Sequence, residues 1–150
     1  MKKTRVPAAF LAALCAAALL IGCGARNYGP VLKANWGLDL PSGCREVYET
    51  DTGESFQGDG VRFHVYAVED AAAVSTALED WHGRAGENVG SGIEEKADEL
   101  LAQLSVPEEH LPAYGACRCW FKAGEGDSRD QIILLLEEDT GRLYVIEIFM

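Results

Sequence analysis

Five consecutive aliphatic residues near the end of the chain constrain its fold more than any other stretch. The run Ile132–Leu136 precedes the turn formers Asp139–Gly141, and a second apolar-rich stretch, Arg142–Phe149, comes next. A short run that is apolar at every position is typical of a strand with both faces covered. We therefore expect Gln131–Glu137 to be a central strand, with helices covering at least one of its faces.

The remaining hydrophobic pattern predicts the other elements. Four further strands are expected at Arg45–Thr50, Val61–Val68, Ala116–Lys122 and Arg142–Phe149, and the alternation of faces is clearest in Val61–Val68. Helical apolar spacing predicts one helix that begins at the N-cap Asp70 and a second from Ser91 to about Leu104. The order ββ-αα-βββ favours an α+β domain, with a mainly antiparallel sheet and two helices packed mainly on one face.

The first 22 residues have the pattern of a signal peptide. Three basic residues, Lys2, Lys3 and Arg5, precede an uncharged apolar run, Ala8–Ile21. This run is too short for a comfortable transmembrane helix, which needs about 20 residues. We expect 1–22 to be a leader that is removed.

The end of the leader, Leu20-Ile21-Gly22-Cys23, resembles the lipobox of bacterial lipoproteins. The resemblance implies that cleavage makes Cys23 the new N-terminus and that its thiol carries a diacylglycerol, which would hold the protein at the extracytoplasmic face of the cell membrane. The alternative is an ordinary secretory leader. Residues 23–43 are then expected to be a lipidated N-terminus and tether, in which Trp36, Leu38 and Leu40 can dock as an edge segment, and 44–150 a single α+β domain.

Net charge excludes one large class of partner. The whole chain carries −11, and loss of the three leader cations leaves −14. Nucleic-acid affinity comes from neutralised phosphates, so we expect no nucleic-acid partner. The expected partners are the membrane, through the lipid, and an envelope protein or polysaccharide.

Three cysteines remain once Cys15 is cleaved off and Cys23 is acylated. A disulfide between Cys44 and Cys117 or Cys119 and a set of buried free thiols are the two main alternatives. Cys-x-Cys alone is a weak metal signal, because a closed zinc site needs four ligands. We expect no metal and no cofactor.

Two motifs invite a catalytic or metal-binding interpretation and do not support one. Asp-Thr-Gly occurs at Asp51 and Asp139, as in aspartic proteases, but both copies lie in polar predicted turns. Asp51, Glu54 and Asp59 offer oxygen ligands, but their spacing matches no calcium loop. We assign no catalytic residue.

A set of basic and aromatic residues alternates along two predicted strands. Their phase places them together on one outward sheet face, and Trp, Tyr and Arg are enriched at contact hot spots. The set comprises Arg62, His64, Tyr66, Arg118, Trp120 and Lys122. A solvated face without a partner, or one covered by a helix or by the tether, is the competing interpretation.

These observations favour a non-catalytic binding module anchored at the membrane. One alternative is a small envelope hydrolase that uses His64 with Asp59, Glu147 or another nearby carboxylate as its acid and base. Another is an inhibitor or immunity-type lipoprotein whose acidic helix, around Glu94–Glu99, binds a basic target.

Overall fold

One antiparallel sheet forms the centre of the structure, a computed structural model that describes residues 28–53, 59–81, 84–85 and 91–150. Its strands are β1 (Cys44–Asp51), β2 (Gly60–Val68), β3 (Arg84–Ala85), β4 (Cys117–Ala123), β5 (Gln131–Glu137) and β6 (Arg142–Phe149). They are hydrogen-bonded in the order β1-β2-β6-β5-β4-β3. The antiparallel α+β prediction is confirmed, and so are the bounds of β5 and β6.

Three α-helices accompany the sheet in the described residues: α1 (Gly29–Trp36), α2 (Ala71–Asp80) and α3 (Ser91–Gln103). Two short 3₁₀ turns, Glu108–His110 and Tyr114–Ala116, connect α3 to β4. The predicted order ββ-αα-βββ is therefore incomplete, because α1 precedes the first strand and the two-residue β3 lies between α2 and α3.

The helices cover both faces of the sheet, so the prediction that they pack mainly on one face is wrong. On one face, which we call the α1 face, α1 and α2 pack through Leu32, Trp36, Val74 and Leu78. On the other face, the α3 face, α3 packs through Ala97 and Leu101. Alternate residues of β5 join each of these two cores, which is why its apolar run is continuous.

The α2 helix begins where the sequence predicts. The Asp70 side chain accepts a hydrogen bond of 2.9 Å from the amide of Ala73 and so satisfies a donor of the first turn. The predicted apolar stripe is buried at Val74, Leu78 and Trp81. This stripe presses α2 onto the α1 face.

The segment predicted as tether and edge segment is part of the folded domain from Tyr28 onward. Pro30 lies in the first turn of α1, and Gly37 ends the helix with φ of +70°. The amide of Leu38 then bonds back to the carbonyl of Leu32, which closes the helix end. Leu32, Trp36 and Leu38 are all buried, so the tether prediction is wrong for 28–43.

Candidate functional site

The six residues of the predicted contact face do share one side of the sheet, but that side is not open to solvent. All six point to the α1 face, in agreement with the predicted strand phase. However, Tyr66 is 2 % exposed, His64 4 % and Trp120 0 %. The expectation of an outward surface is wrong, because α1 and α2 lie over this face.

Arg118 and Lys122 instead fasten the helices to the sheet. Arg118 donates to Glu79 of α2 at 2.7 Å and to Glu138 at 3.1 Å, and it also bonds the Ser75 hydroxyl. Lys122 donates to the Trp36 carbonyl at 3.1 Å. Both cations remain partly exposed at the margin of the helices, so a partner can still contact them.

A histidine–carboxylate pair lies at the other end of the same face. The Nδ1 atom of His64 is 2.6 Å from Oε1 of Glu46, and both side chains are buried. Glu46 lies on β1 opposite Tyr66, whereas Glu49 lies opposite His64. Three positions apart in a regular strand, the two glutamates would point to opposite faces.

A β-bulge brings the two glutamates together. The β1–β2 register shifts between Glu46 and Tyr48, which leaves Val47 as the extra residue. The bulge reverses the alternation, so that Glu46 and Glu49 both point to the α1 face. Ligand atoms of Glu46, Glu49 and His64 consequently lie within 4.8 Å of one another.

Burial controls the charge of this pair. Burial, aided by the negative charge of Glu49, raises the pKa of Glu46 to about 7. Burial also lowers the pKa of His64 to about 4, and the nearby Arg62 charge acts in the same direction. Burial therefore disfavours the charged form of both partners.

An aromatic ring and a second buried carboxylate complete the surroundings. The Tyr28 ring stacks on the His64 ring with centroids 3.9 Å apart, and its hydroxyl accepts a 3.0 Å hydrogen bond from Arg62. Glu147 of β6 is fully buried, and its Oε1 accepts from the Trp36 indole at 2.6 Å. Thus Tyr28 and α1, which are distant in sequence from β2 and β6, cover the polar end of the α1 face.

A cleft of about 430 Å³ opens beside this cluster. It is lined by Tyr28, Glu49, Thr50, Asp51, Arg62 and His64. The cleft offers an aromatic ring, a guanidinium and carboxylates within one small volume. These groups suit the binding of a polar or charged ligand.

The sheet order contradicts the predicted disulfide. Cys44 lies on β1 and Cys117 and Cys119 on β4, four strand spacings apart, or about 19 Å at the usual spacing. A disulfide requires Cα atoms within about 7 Å. Cys44 also packs on the α1 face, whereas the other two pack on the α3 face, and all three are free thiols.

The Asp139 triplet lies in a turn, as predicted, whereas Asp51 is the last residue of β1 and its triplet leads out of that strand. Asp51 accepts a hydrogen bond of 2.6 Å from the amide of Gly53. Asp139 lies in the β5–β6 turn, next to the Val68 end of β2, whereas Asp51 pairs with Arg62 at the opposite end. The two carboxylates therefore cannot form a catalytic dyad.

Glu54, one of the three oxygen ligands considered for calcium, lies outside the described residues. The predicted lipidation site, Cys23, also lies outside them. The carboxylate that His64 contacts is Glu46, and not Asp59 or Glu147 as expected. The sequence patterns do not indicate Glu46, Glu49 or Tyr28 as residues of the site. The bulge at Val47 leaves no signature in the sequence. Pro30 and Gly37, with Leu32 and Trp36 four residues apart, are the sequence features that indicate α1.

Among the described residues no helix has the length and apolar character to cross a bilayer. Comparison with protein-family models, with curated proteins and with solved structures finds no match to this chain.

Proposed function

We propose that the protein is a bacterial lipoprotein, anchored through Cys23 at the extracytoplasmic face of the membrane, and that its domain is a non-catalytic binding module. The leader and the lipobox-like Leu20–Cys23 support the anchor. The cleft beside His64 supports the binding role.

The position of the cleft relative to the anchor carries the proposal. Only four residues separate Cys23 from Tyr28, which itself lines the cleft. Five residue steps span at most about 17 Å when fully extended. A lipid on Cys23 would therefore hold the cleft next to the membrane surface, where the partner would be an envelope protein or polysaccharide.

The cleft is rigidly framed, which favours selective binding. Tyr28 is fixed by its stacking on His64 and its bond to Arg62, and Arg62 lies 4.9 Å from the Phe149 ring centroid. Glu49 and Asp51 remain exposed at the rim. A preorganised site loses less side-chain entropy on binding.

The experiment is a cross-linking pull-down with the lipidated protein in its own cells, using the charge reversal Glu49→Lys. Glu95→Lys is the matched control, because Glu95 is equally an exposed glutamate but lies on α3. We expect a partner that is captured by the unaltered protein and by the control and is lost with Glu49→Lys.

The opposite pattern would reject the cleft as the contact site. Capture lost with Glu95→Lys and kept with Glu49→Lys would move the site to the acidic α3 and support the inhibitor-type alternative. Capture by no version would leave the binding role without a partner and contradict the proposal.

One observation favours a second candidate, a small envelope hydrolase. In this enzyme His64 would act as acid or base together with a carboxylate, and Glu46 lies 2.6 Å from the His64 ring. However, its Nε2 atom is buried, and a ring with a pKa of about 4 is a weak base at neutral pH. We expect the purified protein to hydrolyse no envelope polymer; hydrolysis that Glu46→Gln abolished would support the enzyme instead.

A further inference from the structure

We propose that Glu46, Glu49 and His64 bind a divalent transition-metal ion of the Zn²⁺ class beside the cleft, on the side that Glu49 and His64 line. The inference rests on the proposed function in one respect, that this cleft is the binding site. It adds the chemical class of the ligand.

The three side chains are placed as a metal site requires. One ligand atom from each lies within 4.8 Å of the other two. Zinc bonds of about 2.1 Å in tetrahedral geometry put neighbouring ligand atoms about 3.4 Å apart. The 2.6 Å contact between His64 and Glu46 needs to widen by less than about 1 Å, which a side-chain rotation supplies.

One buried polar atom of the cluster, Nε2 of His64, has no hydrogen-bond partner among the described residues. Leaving such an atom unsatisfied is costly. Tyr66 is 2 % exposed, lies directly opposite Glu46 on β2, and its hydroxyl hydrogen-bonds the Glu46 carboxylate. A buried group that bonds a ligand carboxylate in this way commonly orients it towards a metal ion.

The charges of the region also leave room for a cation. Glu46, Glu49 and Glu147 all point to the α1 face at this end, and Arg62 is the cation that lies among them. Buried carboxylates are usually paired or coordinate metals. A divalent ion would supply the missing positive charge.

The ligand types select the class of metal. Imidazole with two carboxylates suits zinc and its neighbours in the first transition row, whereas Ca²⁺ and Mg²⁺ prefer oxygen ligands alone. Glu49 is exposed and reaches the cluster from the cleft. The cleft side would leave a fourth position for water or for a partner's side chain.

The test uses the full chain, purified in detergent and stripped of metal with a chelator. Zn²⁺ affinity is measured against a chromophoric chelator, and Co²⁺ is used as a spectroscopic probe of the ligand geometry. We expect one ion per chain, an intense tetrahedral Co²⁺ absorption, and no displacement by excess Ca²⁺.

Glu49→Gln is the decisive variant, because Glu49 is exposed and its loss leaves the core intact. We expect at least a tenfold loss of Zn²⁺ affinity, since even residues behind the ligands cost 10–100-fold. Asp51→Asn is the matched control, because Asp51 lines the same cleft but lies outside the three-residue cluster. It should retain the affinity.

Three results would overturn the metal site: no Zn²⁺ binding, unaltered affinity in Glu49→Gln, or an equal loss in Asp51→Asn, which indicates diffuse acidic adsorption. The pull-down separates this failure from failure of the proposed function. Partner capture that depends on Glu49 in a protein that binds no metal would reject the ion and retain the binding module.

Discussion

Two tryptophan indoles illustrate how single hydrogen bonds hold α1 to the sheet. The Trp36 indole donates to the buried carboxylate of Glu147 at 2.6 Å, whereas the Trp81 indole donates to the Trp36 carbonyl at 2.9 Å. That carbonyl also accepts from Lys122. The Trp36 carbonyl keeps Lys122 as a partner without Trp81, whereas the Glu147 carboxylate loses its indole donor without Trp36.

We therefore expect Trp36→Phe to lower the free energy of unfolding more than Trp81→Phe. Both changes remove a similar volume from a buried ring, but only the first takes a hydrogen-bond donor from a buried carboxylate, which costs about 1–3 kcal/mol more. Urea unfolding monitored by circular dichroism measures the difference. Equal losses in the two variants would show that the Trp36–Glu147 bond contributes nothing.

The cysteines of β4 give a prediction about pH. Burial raises the pKa of Cys119 to about 11 and that of Cys117 to about 12, and the negative charges of Glu94 and, at Cys117, Glu137 add to it. A raised pKa means less thiolate, the form that reacts, at any pH below it.

At pH 8 we expect Cys119 to be alkylated about 100-fold more slowly in the folded protein than in urea, because its thiolate fraction falls with the two-unit rise from the usual pKa. The rate should climb steadily with pH up to 10. Peptide-resolved mass spectrometry after iodoacetamide treatment reports each cysteine separately. Equal rates in folded and unfolded protein would contradict the burial.

At the scale of elements, α1 is the piece whose role changes most between sequence and structure. A proline near its start, a glycine just after its end and two large apolar residues four apart are ordinary helix signals. Turn formers on either side of these signals favour a loop instead. The α2 and α3 helices and the last two strands were predictable because their periodic patterns are longer.

Leu32→Ala tests whether α1 belongs to the domain. Leu32 is fully buried in the α1-face core, so we expect a loss of about 2–5 kcal/mol in the free energy of unfolding. Asn35→Ala on the exposed side of the same helix should change stability by less than about 0.5 kcal/mol. A tether would tolerate both substitutions, so an unaltered midpoint for Leu32→Ala contradicts the docked helix.

The bulge in β1 shows why the candidate site could not be predicted. Strand alternation correctly placed Arg62, His64 and Tyr66 on one face, yet the partner of His64 depends on one extra residue, Val47, in the neighbouring strand. A one-residue shift exchanges the faces of all following residues. Register information of this kind is absent from the periodicity of a single strand.

At the scale of the whole molecule, the sheet order decides which distant residues meet. Insertion of β6 between β2 and β5 brings Glu147 beside Arg62 and separates Cys44 from the β4 cysteines. The same order puts the His64 cluster at the β1–β2 side of the sheet, where Tyr28 enters the fold. Local patterns predicted the strands, but long-range pairing determined both the site and the absence of the bridge.

The central claim is that a lipid on Cys23 holds this cleft at the membrane, and intact-mass analysis of the membrane fraction tests it most directly. The account predicts a chain that begins at Cys23 and carries diacylglycerol on its thiol, and a Cys23→Ser copy that is not processed at this site. An unmodified Cys23, or a leader cut elsewhere and a protein free of the membrane, would contradict the account.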